Sequence, residues 1–240
     1  MGKSLAPPGA PGASAAAEGA RAQRAARGRR ATMFSFLTLA TVLALAGLTG
    51  RPAWLYGGAA AAAALAWSWR PEPDPKRWWR GAAGEVATAR LLARLPRRYV
   101  VLHDRRLPGR RGNIDHVVLG RTGVWVVDSK VRRGAIEIRH GQVMAGDYPI
   151  EVAPAARQAS GLASTLGVQV RAVVAVHGVG LRRRGKRVDG ILILPAGRLR
   201  RRLRRGRRRL SRSEITSLSV ALEGTLRPAV RPGRRRLTSG

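Results

Sequence analysis

The sequence predicts an α/β domain whose mixed sheet is flanked by helices, preceded by two membrane-spanning helices. Three observations carry that prediction. Two β-branched runs, 113–119 and 124–130, flank Gly120-Arg121-Thr122-Gly123, a four-residue hairpin loop. Continuous apolar runs at 170–176 and 188–194 suit central strands covered on both faces, and 82–95 and 153–166 have helical periodicity. Finally, 33–50 and 53–69 contain no charge, and each approaches the roughly 20 residues needed to cross about 30 Å of hydrocarbon.

Taken in order, residues 1–32 are Ala, Gly, Pro and Ser with five Arg between Arg21 and Arg30, which predicts a disordered basic leader. Residues 33–70 read as a hairpin of two spans, 33–50 and 53–69, turned at Arg51-Pro52. One helix through both would bury that dipeptide midway. Trp54, Tyr56, Trp67 and Trp69 stand where interfacial aromatics belong, and Gly57, Gly58 and the Ala run offer a face for close packing. Ala44-Leu45-Ala46 resembles a signal-peptide cleavage site, but the basic leader and the second apolar run favour spans. Bases before the first span and after the second place both termini on the cytoplasmic side of the cell membrane.

Residues 71–80 open with PEPDPK and read as a Pro-rich linker. Residues 81–195 form the folded domain: the 82–95 helix stopped by Pro96, a strand at 99–102, the hairpin, a further hairpin within 134–151, the 153–166 helix and the two apolar strands. Residues 196–240 are an Arg-rich tail of 15 bases and 2 acids, with a short helix at 213–222 and Glu214 near its start.

Lys and Arg number 46 against 13 acids, a net charge of +33, and all but four of those bases are Arg. Such a balance points to polyanions, nucleic acid or an anionic membrane surface, although biased codon usage also produces an Ala/Arg/Gly-rich chain. The absence of cysteine excludes disulfides, thiolate zinc, iron–sulfur clusters and Cys nucleophiles. No phosphate-cradling G-x-x-x-x-G-K-[ST] loop and no nucleophile elbow occurs, so neither a nucleotide-driven motor nor a Ser–His–Asp hydrolase is supported. The four histidines (103, 116, 140, 177) lack metal-ligand spacing, and strand alternation turns His116 away from Asp115 as a structural residue.

The hairpin carries the chemistry. A register pairing Leu119 with Val124 sets Asp115 across from Asp128, with Asp128 and Lys130 on the face of Val124 and Val126. Opposed side chains lie about 5 Å apart, where two carboxylates repel by roughly 3 kcal/mol at an effective dielectric near 20. A fold keeps such a pair when a cation lies between them, either Lys130 or a divalent metal. In a plainer reading Asp115 caps a turn and Asp128 pairs with Lys130 on a solvated edge. Hard oxygen ligands without Cys or paired His favour Mg²⁺ or Mn²⁺ over Zn²⁺.

At these residues the chain resembles the NERD (nuclease-related) domain, grouped with the PD-(D/E)xK nucleases of restriction-endonuclease-like fold. The resemblance rests on Gly84-Glu85, Asn113-Ile114-Asp115-His116, Thr122-Gly123-Val124 and Asp128-Ser129-Lys130, and covers about 81–195. It implies that Asp115 and Asp128 are metal ligands, Lys130 the catalytic lysine and Glu85 an auxiliary acid and ligand from the helix. Gln158 matches a downstream family glutamine. Position 128 carries Asp where NERD domains more often carry Glu, and the broader motif takes either.

The expected function is therefore membrane-anchored, Mg²⁺-dependent hydrolysis of phosphodiesters in nucleic acid, DNA ahead of RNA. Two other readings stay open: a catalytically silent nucleic-acid-binding membrane adaptor, and a structural protein holding anionic lipid through its tail. The nine Arg between 198 and 209, and the basic turn at 182–187, suit phosphate backbone or membrane lipid alike. No aromatic residue follows Tyr148, so base stacking has no carrier there. A homodimer is compatible with a domain of this size.

Overall fold

A computed structural model describes residues 10–47, 59, 61–63, 66, 75–110, 112–179 and 185–229. The chain divides into two compact units, Met1–Ala17 with Trp79–Gly240, and Glu18–Trp78.

From Ala13 onward the leader expected to be disordered is helical. Helix α1 (Ala13–Gly47) runs 35 residues, because Ala and Arg are among the strongest helix formers. Past Met33 it carries Phe34, Leu37, Leu39, Val42 and Leu45, all exposed. Among the described residues no helix is long and apolar enough to cross a membrane. The expected two-span hairpin is thus not supported: its first run is the apolar end of a helix whose other half is basic. The turn at 51–52 and most of 53–69 lie outside the described residues.

The first unit is built on a seven-stranded mixed sheet in the order β10-β1-β2-β3-β7-β9-β8. Its strands are β1 (Val100–Arg106), β2 (Ile114–Gly120), β3 (Gly123–Gly134), β7 (Val170–Val179), β8 (Lys186–Val188), β9 (Ile191–Pro195) and β10 (Arg227–Pro228). A smaller sheet holds β4 (Ile136–Arg139), β5 (Gln142–Ala145) and β6 (Tyr148–Pro149), in that order. The helices are α2 (Pro75–Leu92), α3 (Ala153–Leu166), α4 (Leu199–Arg204) and α5 (Arg212–Thr225).

Antiparallel β2 and β3 pair Leu119 with Val124 and His116 with Val127, the register read from the sequence. Gly120 pairs with Gly123, so the loop proper is only Arg121-Thr122. β7 lies parallel to both β3 and β9, and Val173, Val174 and Ala175 are fully buried, as a central strand requires. Two layers cover the sheet. Leu162 of α3 and Leu222 of α5 belong to one core with Val117, Leu119, Val124 and Val126. Leu92 of α2 and Leu199 and Leu203 of α4 belong to the other, with Val118, Trp125 and Val127. Each such side chain contributes about 1.5–3 kcal/mol by leaving water.

Two boundaries differ from expectation. The 188–194 run is not one strand: Asp189 (φ 48°) and Gly190 (φ 77°) turn it into the β8–β9 hairpin. Asp-Gly with both residues at positive φ is a favoured two-residue turn, and it outweighs the apolar flanks. Helix α2 begins at Pro75, inside the expected linker, because proline is well suited to a helix's first turn. The tail helix starts at Arg212 behind an N-cap at Ser211, whose hydroxyl and Glu214 form a reciprocal capping box.

Candidate active site

Asp115 stands at the start of β2 and Asp128 and Lys130 late in β3. One step beyond the His116–Val127 pair brings the two acids across from each other. Asp115 Oδ2 accepts the backbone N–H of Ser129 at 2.8 Å, and Lys130 Nζ donates to Asp128 Oδ1 at 3.0 Å. The ion pair is not on a solvated edge, since the Asp128 side chain is only 6% exposed. Burial raises the carboxyls of both Asp115 and Asp128, and the neighbouring Glu85 and Asp128 charges raise Asp115 further. Burial works against the charge of Lys130, but the Asp128 and Asp115 carboxylates outweigh it and hold the ammonium above its ordinary value.

Glu85 comes from α2, and is buried. Its carboxyl is pushed up to about 7 by burial first, then by Asp104 and, less, by Asp128, against a backbone hydrogen bond from Gly12. The helix approaches closely because Gly84 has no side chain: a Cβ there would lie 2.6 Å from Val131 Cγ2. Gln158 of α3 donates Nε2–H to the Asn113 carbonyl at 2.6 Å, fixing the turn that leads into Asp115. Asn113 Nδ2 in turn donates to Asp104 Oδ1 (3.0 Å) and Ser14 Oγ (2.7 Å), while Ser14 N donates to Asp104 Oδ2 (2.8 Å). The N-terminal residues Gly12 and Ser14 thus cover one side of the acid group.

The other face of β3 carries a polar chain. His103 Nδ1 and His116 Nδ1 are 2.8 Å apart, His116 Nε2 and Ser129 Oγ 3.2 Å, Ser129 Oγ and Thr88 Oγ1 2.8 Å, and Thr88 Oγ1 and His177 Nε2 2.7 Å. Ser129 gives its proton to Thr88, so it accepts from His116 Nε2–H; His116 Nδ1 then accepts from His103, and Thr88 donates to His177. Every link is satisfied with all three rings neutral. Burial lowers His103 and His177, and pulls His116 down to about 3. His116 is thus structural, as alternation predicts, and it locks Ser129 between the two residues that carry the ion pair.

Among the described residues no three His, Asp or Glu side chains gather closely enough to hold a metal ion. Glu85, Asp115 and Asp128 form instead a buried, mutually repelling acid group neutralised in part by Lys130. Its donors still have the chemistry of a hard-cation site. Glu85 Oε2, Asp128 Oδ2 and Gln158 Oε1 are buried oxygens without a hydrogen-bond partner, and such atoms cost about 1–3 kcal/mol each unless something meets them.

All five residues singled out in the sequence therefore belong to one unit, four as a charged group and Gln158 as a brace. Asp104 was missed. It is fully buried, at φ 47°, and is the strongest charge influence on Glu85. It lies between His103 and Arg105, beyond the apolar 99–102 run, so no apolar neighbours marked it as buried. Thr88 and Ser129 carried no signal either, because hydroxyls are common in helices and strands.

Over 62 residues, 24% of this chain, the sequence is 42% identical to an uncharacterized protein of Bacillus anthracis, of which the match spans 29%. No solved structure matches the chain. Residues 80–180, which hold Glu85, Asp115, Asp128, Lys130 and Gln158, match the family model of the nuclease-related domain, NERD.

Proposed function

We propose that this domain hydrolyses phosphodiester bonds of nucleic acid, DNA ahead of RNA, with Mg²⁺ or Mn²⁺ held by Asp115 and Asp128 and assisted by Glu85. The observation that carries the reading is the buried group itself: two acids on paired strands, a lysine 3.0 Å from one of them, and partnerless oxygens on Glu85 and Asp128. When bound, the cation would neutralise and polarise the phosphate. Lys130 keeps its proton and donates from Nζ to a phosphate oxygen as charge develops. Asp115, held by Ser129 N–H, keeps its orientation, and Gln158 fixes the Asn113 turn behind it. We further propose that the apolar end of α1, with the 53–69 run, seats the chain at the cell membrane.

The second reading is a catalytically silent adaptor that binds nucleic acid. It is favoured by the depth of the acids and by the cover that Gly12 and Ser14 lay over them. The test incubates the full chain, purified in detergent, with labelled single- and double-stranded DNA and RNA in Mg²⁺, Mn²⁺ or EDTA, beside Asp128→Ala. Metal-dependent cutting lost in the variant is expected. Equal cutting by both proteins, or none by either, removes the catalytic reading, and salt-sensitive binding without cutting selects the adaptor.

A further inference from the structure

At the opposite end of β3 from the acids, the β2–β3 turn meets the first residues of β7 and the arginine run of the tail. Thr122 Oγ1 donates to the Leu203 carbonyl at 2.6 Å, and the Arg209 N–H to the Arg121 carbonyl at 2.8 Å, so the turn and the tail are pinned together. Trp125 is buried there, with the Arg171 guanidinium 3.7 Å and that of Arg202 5.8 Å from its ring centroid. Arg171 also donates to the Thr122 carbonyl, and Arg209 Nη1 to Gln169 Oε1 at 2.6 Å. Gly123, at φ 114°, lies between them: a Cβ on it would be 3.0 Å from Arg171 Nη2 and 3.9 Å from Arg209 Cδ.

Arg171 and Arg209 therefore line one small pocket with Gly123, Gln169 and Leu210, and Arg202 stands beside Arg171 over the Trp125 ring. None of the three pairs with a carboxylate among the described residues, and Arg202 Nε is buried without any partner. Burial first, and then repulsion from Arg209, Arg202 and Arg187, lower Arg171 to about 10. Like charges held this close need a counter-ion, and planar forks with several free N–H groups match a phosphate's oxygens.

We propose that Arg171, Arg202 and Arg209 form a phosphate-binding site for the backbone of nucleic acid, separate from the acid group and at the opposite end of β3. The site deepens the nuclease reading and rests on it for the identity of its ligand. Trp125 is covered by the arginines, so it offers no face for a base, and recognition is of phosphate without sequence. Trp125 and Asp128 are three residues apart on one strand, about 10 Å of rise.

The test measures binding of a fluorescein-labelled DNA duplex to the full chain in EDTA over a series of salt concentrations. Arg202→Gln/Arg209→Gln is compared with wild type and with Arg207→Gln/Arg208→Gln, which removes equal charge from exposed neighbours. Arg171 is left in place because it packs on Trp125. Losing two phosphate contacts should flatten the plot of log affinity against log salt by about 1.8, at about 0.9 per contact. Binding at moderate salt should fall at least tenfold, and the control pair should lose much less. Equal losses in both pairs would show general charge rather than a built site. An unchanged slope, or lost binding to phosphatidylglycerol vesicles with DNA binding intact, would also overturn the proposal. Cutting that depends on Asp128 alongside an unchanged slope removes this site alone, whereas a lost slope without cutting removes only the nuclease reading.

Discussion

Asp115 Oδ2 accepts the backbone N–H of Ser129 at 2.8 Å, so the acid on β2 is tied to the residue directly between Asp128 and Lys130. An amide can accept the same bond without adding charge. The Asp115 carboxyl is raised above its ordinary value, by burial and by Glu85 and Asp128. The folded state therefore holds that proton where the unfolded chain has lost it, and stability falls as pH rises from the unfolded value through the folded one. Asp115→Asn removes this loss. At pH 8 it should melt higher than wild type, by about 2–4 °C for each kcal/mol recovered, with no such advantage near pH 3. The same variant should lose metal-dependent cutting. An Asn variant that melts lower at pH 8 contradicts the repulsion described for this group.

Glu85 titrates nearer neutrality than any ordinary carboxyl, at about 7, because it is buried and faces Asp104. If its charged form assists the cation, Glu85 must lose its proton as metal binds, so apparent affinity for Mg²⁺ should climb up to about tenfold per pH unit below 7 and level off above it. Glu85→Gln should cut slowly and lose that limb of the profile. A rising limb that persists unchanged in Glu85→Gln assigns the titration to another group.

How much of this was legible can be judged residue by residue. The Asp115–Asp128 register followed from Gly120 and Gly123 bounding two β-branched runs, since side-chain period and turn length fix an antiparallel pair locally. The Arg171–Trp125 contact had no such signal. It depends on a parallel crossover, and on Arg202 and Arg209 returning from a tail that reads as solvated charge. The leader failed for a different reason: composition suggested disorder, whereas helix propensity of Ala and Arg decided residues 13–32. At Asp189-Gly190 the turn signal was present but was read through, because the apolar residues on either side suggested one continuous strand.

Gly84 offers a test of how α2 presents Glu85. A methyl group there would meet Val131 Cγ2 at 2.6 Å, and overpacking of this kind costs about 1–3 kcal/mol. Gly84→Ala should be destabilised by that amount and should weaken cutting, because the helix carrying Glu85 is pushed from β3. Val131→Ala makes the room back, so the double variant should recover stability that the two single effects, simply added, would not predict. Strict additivity would mean that Val131 does not limit the approach of the helix.

The hydrogen-bonded chain behind the acids gives the opposite pH response to Asp115. His116 accepts from His103 at Nδ1 and donates to Ser129 at Nε2, so adding a proton to His116 sets two donors against each other at 2.8 Å. Its value of about 3 lies far below the 6.5 of a free imidazole. Between those limits the unfolded chain binds a proton that the folded chain refuses. Stability contributed by this site is then lost as pH falls below 6.5, by up to about 1.4 kcal/mol per pH unit. His116→Leu has no proton to refuse, but it leaves His103 and Ser129 short of a partner, a cost of about 1–3 kcal/mol at pH 7.5. Wild type should therefore unfold at higher temperature than His116→Leu at pH 7.5, and the gap should close by about pH 5. The carboxylates, which drift the other way with pH, are common to both proteins, so the difference between the melting curves isolates His116. A gap that stays constant across this range would show that the imidazole is protonated in the folded protein and that the chain runs differently.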